Sequence, residues 1–159
     1  MRQYFIQVSS DDIYETFVPP DWLKLKPEIK EAWLKELRDP ASRQAHGTLC
    51  NTRGRCCLGV LLDVGFATIG DELYQQGFGI QRNMADSALY ELSDLTNGQL
   101  AQGKLPTRFS LEFFQAKPDD VNGGDFNEVI LWLMDYFVSM NDSHRYTFSQ
   151  IANYIEKYL

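Results

Sequence analysis

Arg43, Arg53 and Arg55 concentrate positive charge in one short stretch that also holds His46, with Gly54 between the last two arginines. Directly after Arg55 begins the apolar run Cys56-Cys57-Leu58-Gly59-Val60-Leu61-Leu62. Should that run open a helix, its unpaired amides and positive dipole end converge with the two guanidinium groups, a combination suited to a phosphate or carboxylate. The sequence therefore offers Arg53, Gly54 and Arg55, supplemented by Arg43 and His46, as an anion-binding site. The competing reading is a charged hairpin tip in water. The chain carries a formal charge of −7, so an anion feels no general attraction and only a local pocket could draw it in.

Other chemistries find weaker footing. His46, Cys50, Cys56 and Cys57 are the soft metal ligands closest together, but adjacent cysteines at the head of an apolar run read better as small buried hydrophobes, and no metal is expected. A cysteine nucleophile would need His46 or His144 as its base. The acidic pairs Asp11-Asp12 and Asp119-Asp120 fit helix starts or solvated turns. Phosphate-cradling loops, dinucleotide fingerprints, serine elbows and zinc-protease helices do not occur, so no catalytic residue and no cofactor is assigned. Tyr74, Phe78, Tyr90, Phe109 and Trp22 could stack on a base, though each also suits a core.

The elements that would position these residues follow from periodicity and punctuation. Residues 2–8 alternate enough for a short strand, and Ser9 with Asp12 suggests a short helix carrying Ile13, Tyr14 and Phe17 up to Pro19-Pro20. A helix is expected over residues 28–38, with Pro27 in its first turn and Ile29, Trp33, Leu34 and Leu37 in one stripe. Residues 41–55 read as a loop or short hairpin, and the run after them as either a buried strand or a buried helix. Residues 66–69 and 73–80 suggest short strands or extended loop; residues 86–95 and 106–116 suggest helices. A turn at Asn122-Gly123-Gly124 precedes an apolar helix capped by Asp125 over residues 125–139, and a Thr147/Gln150 capping box opens a last helix over 147–158.

With 159 residues, 44% hydrophobic and 23% charged, the chain is expected to form one globular domain over residues 1–159 that needs no staple. The expected class is α+β: a helix-rich domain with a small antiparallel sheet built from the N-terminus and the 47–80 region. Three cysteines, an odd number, favour free thiols in a reducing cytoplasm, and no apolar run approaches a membrane span. The acidic balance excludes broad coating of nucleic acid.

Three segments carry a resemblance: Trp33-Leu34-Lys35-Glu36-Leu37-Arg38, then Cys56-Cys57-Leu58-Gly59-Val60-Leu61-Leu62-Asp63, then Asn141-Asp142 followed by Phe148-Ser149-Gln150-Ile151-Ala152-Asn153-Tyr154-Ile155-Glu156. In order and spacing they resemble a widespread group of small, uncharacterised proteins of tailed phages and prophages. That group typically places a third cysteine where Leu62 stands, and a linker one residue shorter, containing glycine, in place of Ser143-His144-Arg145-Tyr146-Thr147. The middle of the chain and its first two dozen residues carry no such likeness. The resemblance implies an accessory protein made in a bacterial host's cytoplasm, and it brings no catalytic residues with it. The expected function is non-enzymatic capture of a small anionic, nucleotide-type ligand to counter host defence, in a fold that could assemble as a homo-oligomer. The alternative is an acidic protein that inhibits a host protein by direct binding, and a third is an enzyme acting on phosphate esters.

Overall fold

The computed structural model describes residues 6–8, 15–47, 50–69 and 113–159. They form a helix-rich α+β domain: α1 (Pro27–Leu37), α2 (Cys57–Ile69), α3 (Gly123–Val138) and α4 (Phe148–Tyr158), with a π-helical turn, Ser139–Ser143, running on from α3. Four short strands make two separate antiparallel pairs, β1 (Ile6–Val8) with β2 (Glu15–Phe17) and β3 (Cys50–Asn51) with β4 (Gly54–Arg55). Among the described residues these are two separate pairs and not the single sheet expected to join the N-terminus to the 47–80 region, of which residues 70–80 lie outside the described residues. The expected elements over residues 73–80 and 86–95 lie outside the described residues.

α1 and α4 form where local signals agree. Pro27 occupies the first turn of α1, where its missing N–H costs nothing, and Ile29, Trp33 and Leu37 are buried at four-residue spacing. In α4 the Thr147 hydroxyl accepts from the Gln150 amide while the Gln150 carboxamide accepts from the Thr147 amide, and Phe148, Ile151, Ala152, Tyr154 and Ile155 turn inward. α3 starts earlier than expected. Asn122, not Asp125, is its cap, and the Asp125 amide donates to the Asn122 carboxamide at 2.7 Å.

The ambiguous apolar run is α2, buried on nearly every side; Cys57, Leu58, Val60 and Leu61 are fully enclosed. The helix also continues through Phe66–Ile69, where short strand or extended loop was expected. Gly65 does not stop it, because that glycine serves close packing: a Cβ there would come within 2.6 Å of the Phe113 ring. The Trp33 indole donates to the Cys57 carbonyl at 3.0 Å and packs on Phe137 with ring centroids 5.0 Å apart, tying α1, α2 and α3 into one core.

Two further expectations are corrected. Glu15–Phe17 is a strand paired with Ile6–Val8, not the end of a helix, since ladder bonds and the Tyr154 hydroxyl donating to the Phe17 carbonyl hold it extended. Of the helix expected over residues 106–116, residues 106–112 lie outside the described residues and residues 114–116 are not helical, with Phe114 bridging Leu25 in antiparallel fashion. The Lys26 amide donates to the Phe113 carbonyl and the Gln115 amide to the Lys24 carbonyl, both at 2.8 Å. Phe113 and Phe114 are thereby buried beside α1 and α2.

The π turn sets up the region of interest. The His144 amide reaches back five residues to the Ser139 carbonyl, and the extra residue in the turn drives Asn141 inward to 1% exposure. There its oxygen accepts from the Gln44 side chain at 2.9 Å and the Cys57 amide at 3.2 Å, while its nitrogen donates to the Ala45 carbonyl and to Asp142 Oδ1, both at 2.8 Å. All the bonding capacity of the carboxamide is used. Asn141→Ala is expected to cost about 2–4 kcal/mol, because it leaves the Cys57 amide and Ala45 carbonyl buried without this partner. Asn141→Asp should not restore the loss, since a carboxylate cannot donate. Urea denaturation of the three proteins checks both statements.

Candidate functional site

The arginine-rich hairpin meets its surroundings through its backbone first. The Arg55 amide donates to the Arg43 carbonyl at 2.9 Å and the Ala45 amide to the Arg55 carbonyl at 2.8 Å, so residues 43–45 run beside β4. Only glycine allows that approach at position 54, where a Cβ would fall 2.2 Å from the Arg43 carbonyl oxygen. On the other side of the same segment, the Gln44 side chain donates to the Tyr146 carbonyl at 2.8 Å and the Gly47 amide to Asp142 Oδ1 at 3.0 Å. Segment 43–47 is therefore clasped between the β3–β4 hairpin and the chain leaving the π turn.

Arg55 turns into this assembly. Its Nη1 meets Asp63 Oδ2 of α2 and its Nη2 meets Glu36 Oε1 of α1, each at 2.7 Å, and Ser42 Oγ donates to the same Glu36 oxygen at 3.1 Å. The Arg55 side chain is 13% exposed, and those of Asp63 and Glu36 are 8% and 35%. Burial works against the guanidinium charge, but the hydrogen bonds and attraction of Asp63 and Glu36 outweigh it and raise the Arg55 pKa. The amino end of α2 is occupied as well: Asn141 takes the Cys57 amide and Cys56 Sγ accepts from the Gly59 amide at 3.4 Å. Of the residues expected to meet an anion, Gly54 and Arg55 are built into the fold. Arg43, His46 and Arg53 are exposed on neighbouring segments.

The cysteines follow the packing expectation. Cys56 and Cys57 are buried and not in a disulfide. Burial pushes the Cys57 thiol well above its ordinary pKa, with Cys56 and Asp142 adding to the effect, and its sulfur donates to the Phe137 carbonyl at 3.6 Å. Among the described residues, no group of three or more histidine, cysteine or acidic side chains gathers as a metal site. Trp22 packs against Phe126 with centroids 5.8 Å apart; Tyr74, Phe78, Tyr90 and Phe109 lie outside the described residues.

Sequence reasoning missed the partners that organise this region. Glu36, Asp63, Asn141 and Asp142 all lie within the three quoted segments, but the only signal of their roles is that position, since no spacing rule links Arg55 to an acid on either helix. His144 is a further group placed by tertiary structure. Its ring packs near those of Tyr136 and Tyr146, at 6.2 and 5.3 Å between centroids, and burial lowers its pKa.

Replacing Arg55 by methionine is expected to destabilise the domain by about 2–4 kcal/mol, because the buried Asp63 carboxylate loses its counter-charge; adding Asp63→Asn should recover part of that loss in urea unfolding. For His144 the sign is fixed by a folded pKa below the unfolded value of about 6.5: the unfolded chain takes up a proton first. Stability should therefore fall as pH drops from about 7.5 toward 5.5, and His144→Phe, which keeps a ring in place, should flatten that slope in unfolding measured across the same range.

The comparisons with known proteins add one family. No curated protein and no solved structure matches the chain. The family match runs through the middle segment where sequence reading found no likeness, and on that extent, residues 25–159, the chain belongs to the family described as Domain of unknown function (DUF8296).

Proposed function

We propose that this is a non-enzymatic phage or prophage accessory protein, acting in the bacterial host's cytoplasm, which captures a small anionic, nucleotide-type ligand along the exposed edge bearing Arg43, His46 and Arg53. The observation that carries this reading is the clasp around residues 43–47. It brings exposed Arg43 and His46 of that segment and Arg53 of the β3–β4 turn onto adjacent segments, in a chain whose net charge is −7. In such a chain a local cluster of positive charge is a concentrated attractor. Arg55 supports the edge from beneath. Its charge is already matched by Asp63 and Glu36, so its task is to hold the hairpin against α1 and α2. The phage context rests on the resemblance of the three quoted segments. A binding role, and not a covalent one, is favoured because the Cys57 thiol is kept protonated by burial.

A thermal-shift screen with a nucleotide panel tests the proposal. At a ligand concentration of about 100 Kd, the protein should gain about 2.7 kcal/mol, or roughly 5–10 °C in Tm, and should release the ligand unchanged on denaturation. Arg43→Ala and Arg53→Ala should each weaken binding at least tenfold while leaving the ligand-free Tm within about 2 °C. A flat response to the whole panel, with salt-sensitive retention of a host protein, would replace this reading with direct inhibition of that protein. Recovery of a chemically altered nucleotide would replace it with an enzyme.

A further inference from the structure

Arg145 is the one non-glycine residue among those described that has a left-handed backbone, with φ of 52°. The conformation is imposed from both sides, since the His144 amide is bonded to the Ser139 carbonyl and the Tyr146 amide to the Met140 carbonyl, each at 2.8 Å. A Cβ in this region costs conformational energy that glycine avoids, and such strain persists only where the surrounding structure over-determines it. Arg145 is exposed, and among the described residues it forms no ion pair, so the strain is not repaid by a salt bridge of its own there.

Its place in the clasp gives the cation a context. The carbonyl of Tyr146, the next residue, accepts from Gln44, which lies between Arg43 and Ala45. The nearest acid along the chain, Asp142, turns Oδ1 to the Gly47 amide and the Asn141 side chain. Exposed arginines thus sit on three laterally joined segments: Arg53 on the β3–β4 turn, Arg43 on the middle segment that also bears His46, Arg145 on the chain leaving the π turn.

We infer that Arg145 is a ligand-contacting residue of this edge, and that the edge takes a ligand with two or more phosphate groups. The inference rests on the anion-capture reading proposed above and narrows it. One phosphate is satisfied by one or two guanidiniums, whereas cations spread over three segments suit linked phosphates.

Calorimetric titration of the full chain with inorganic pyrophosphate and with inorganic phosphate, at fixed ionic strength, tests it. Wild type should bind pyrophosphate at least tenfold more tightly than phosphate. Arg145→Gly should lose at least tenfold in pyrophosphate affinity with its ligand-free Tm unchanged or a few degrees higher, and Arg145→Lys should regain part of the affinity. Wild-type affinity in Arg145→Gly alongside loss in Arg43→Ala would overturn the role of Arg145 and leave the edge standing. Equal affinity for the two anions, or none for pyrophosphate, would overturn the ligand class, while the nucleotide panel judges anion capture separately. A lowered Tm in Arg145→Gly would show that the arginine serves the fold.

Discussion

The buried carboxamide of Asn141 is the joint on which this domain turns. A polar group at 1% exposure is tolerated only when its donors and acceptors are all matched, and here the matches come from four places: Gln44, Ala45, the first amide of α2 and the neighbouring Asp142. The π turn is the means. An ordinary α-helical continuation of α3 would carry position 141 to a different azimuth, while one extra residue in the turn aims it inward. A cap for α2 is thus supplied by a residue 84 positions away, and helix, hairpin and turn are fixed in one geometry.

Around that joint, charge is handled in two ways. Arg55 is folded in between two helices, and its carboxylate partners leave a local excess of negative charge beneath the hairpin. Such a buried pair gives little net stability relative to well-packed apolar groups, but it is costly to break, which makes it a device for positioning. Arg43, His46, Arg53 and Arg145 remain on the outside, on segments that the same hydrogen bonds hold side by side. Arg43, His46 and Arg53 lie within a dozen or so residues of Arg55 in the chain, yet of these four only Arg55 is folded in between the helices. A second set of contacts, Lys24 and Lys30 to carbonyls near the end of α4 and Arg38 to Glu156, docks that helix on α1 and engages cations far from the proposed edge.

Burial explains why several plausible chemical readings dissolve into packing. The adjacent cysteines head a helix that is apolar on nearly every side, where a thiol is a small hydrophobe. Gly65, which punctuates the sequence like a helix stop, makes room for the Phe113 ring. The strand at Glu15–Phe17 shows the same dominance of tertiary contacts over a local capping signal, with Ile6–Val8 as its ladder partner.

The chain on its own determined α1, α3 and α4, because a proline at the first turn, side-chain caps and a repeat of apolar residues near 3.6 are satisfied within one helix by residues a few positions apart. It also marked Arg43, His46 and Arg53 as polar side chains grouped near a hairpin. Tertiary structure decided that the run after Arg55 is a helix, that Arg55 faces inward, and that Arg145 joins the outer cations. Those outcomes depend on partners such as Glu36, 19 residues from Arg55, and Asn141, 97 residues from Gln44. Nothing in local periodicity encodes which distant polar groups will be buried together; that choice is made when packing closes and every enclosed donor and acceptor must find a partner.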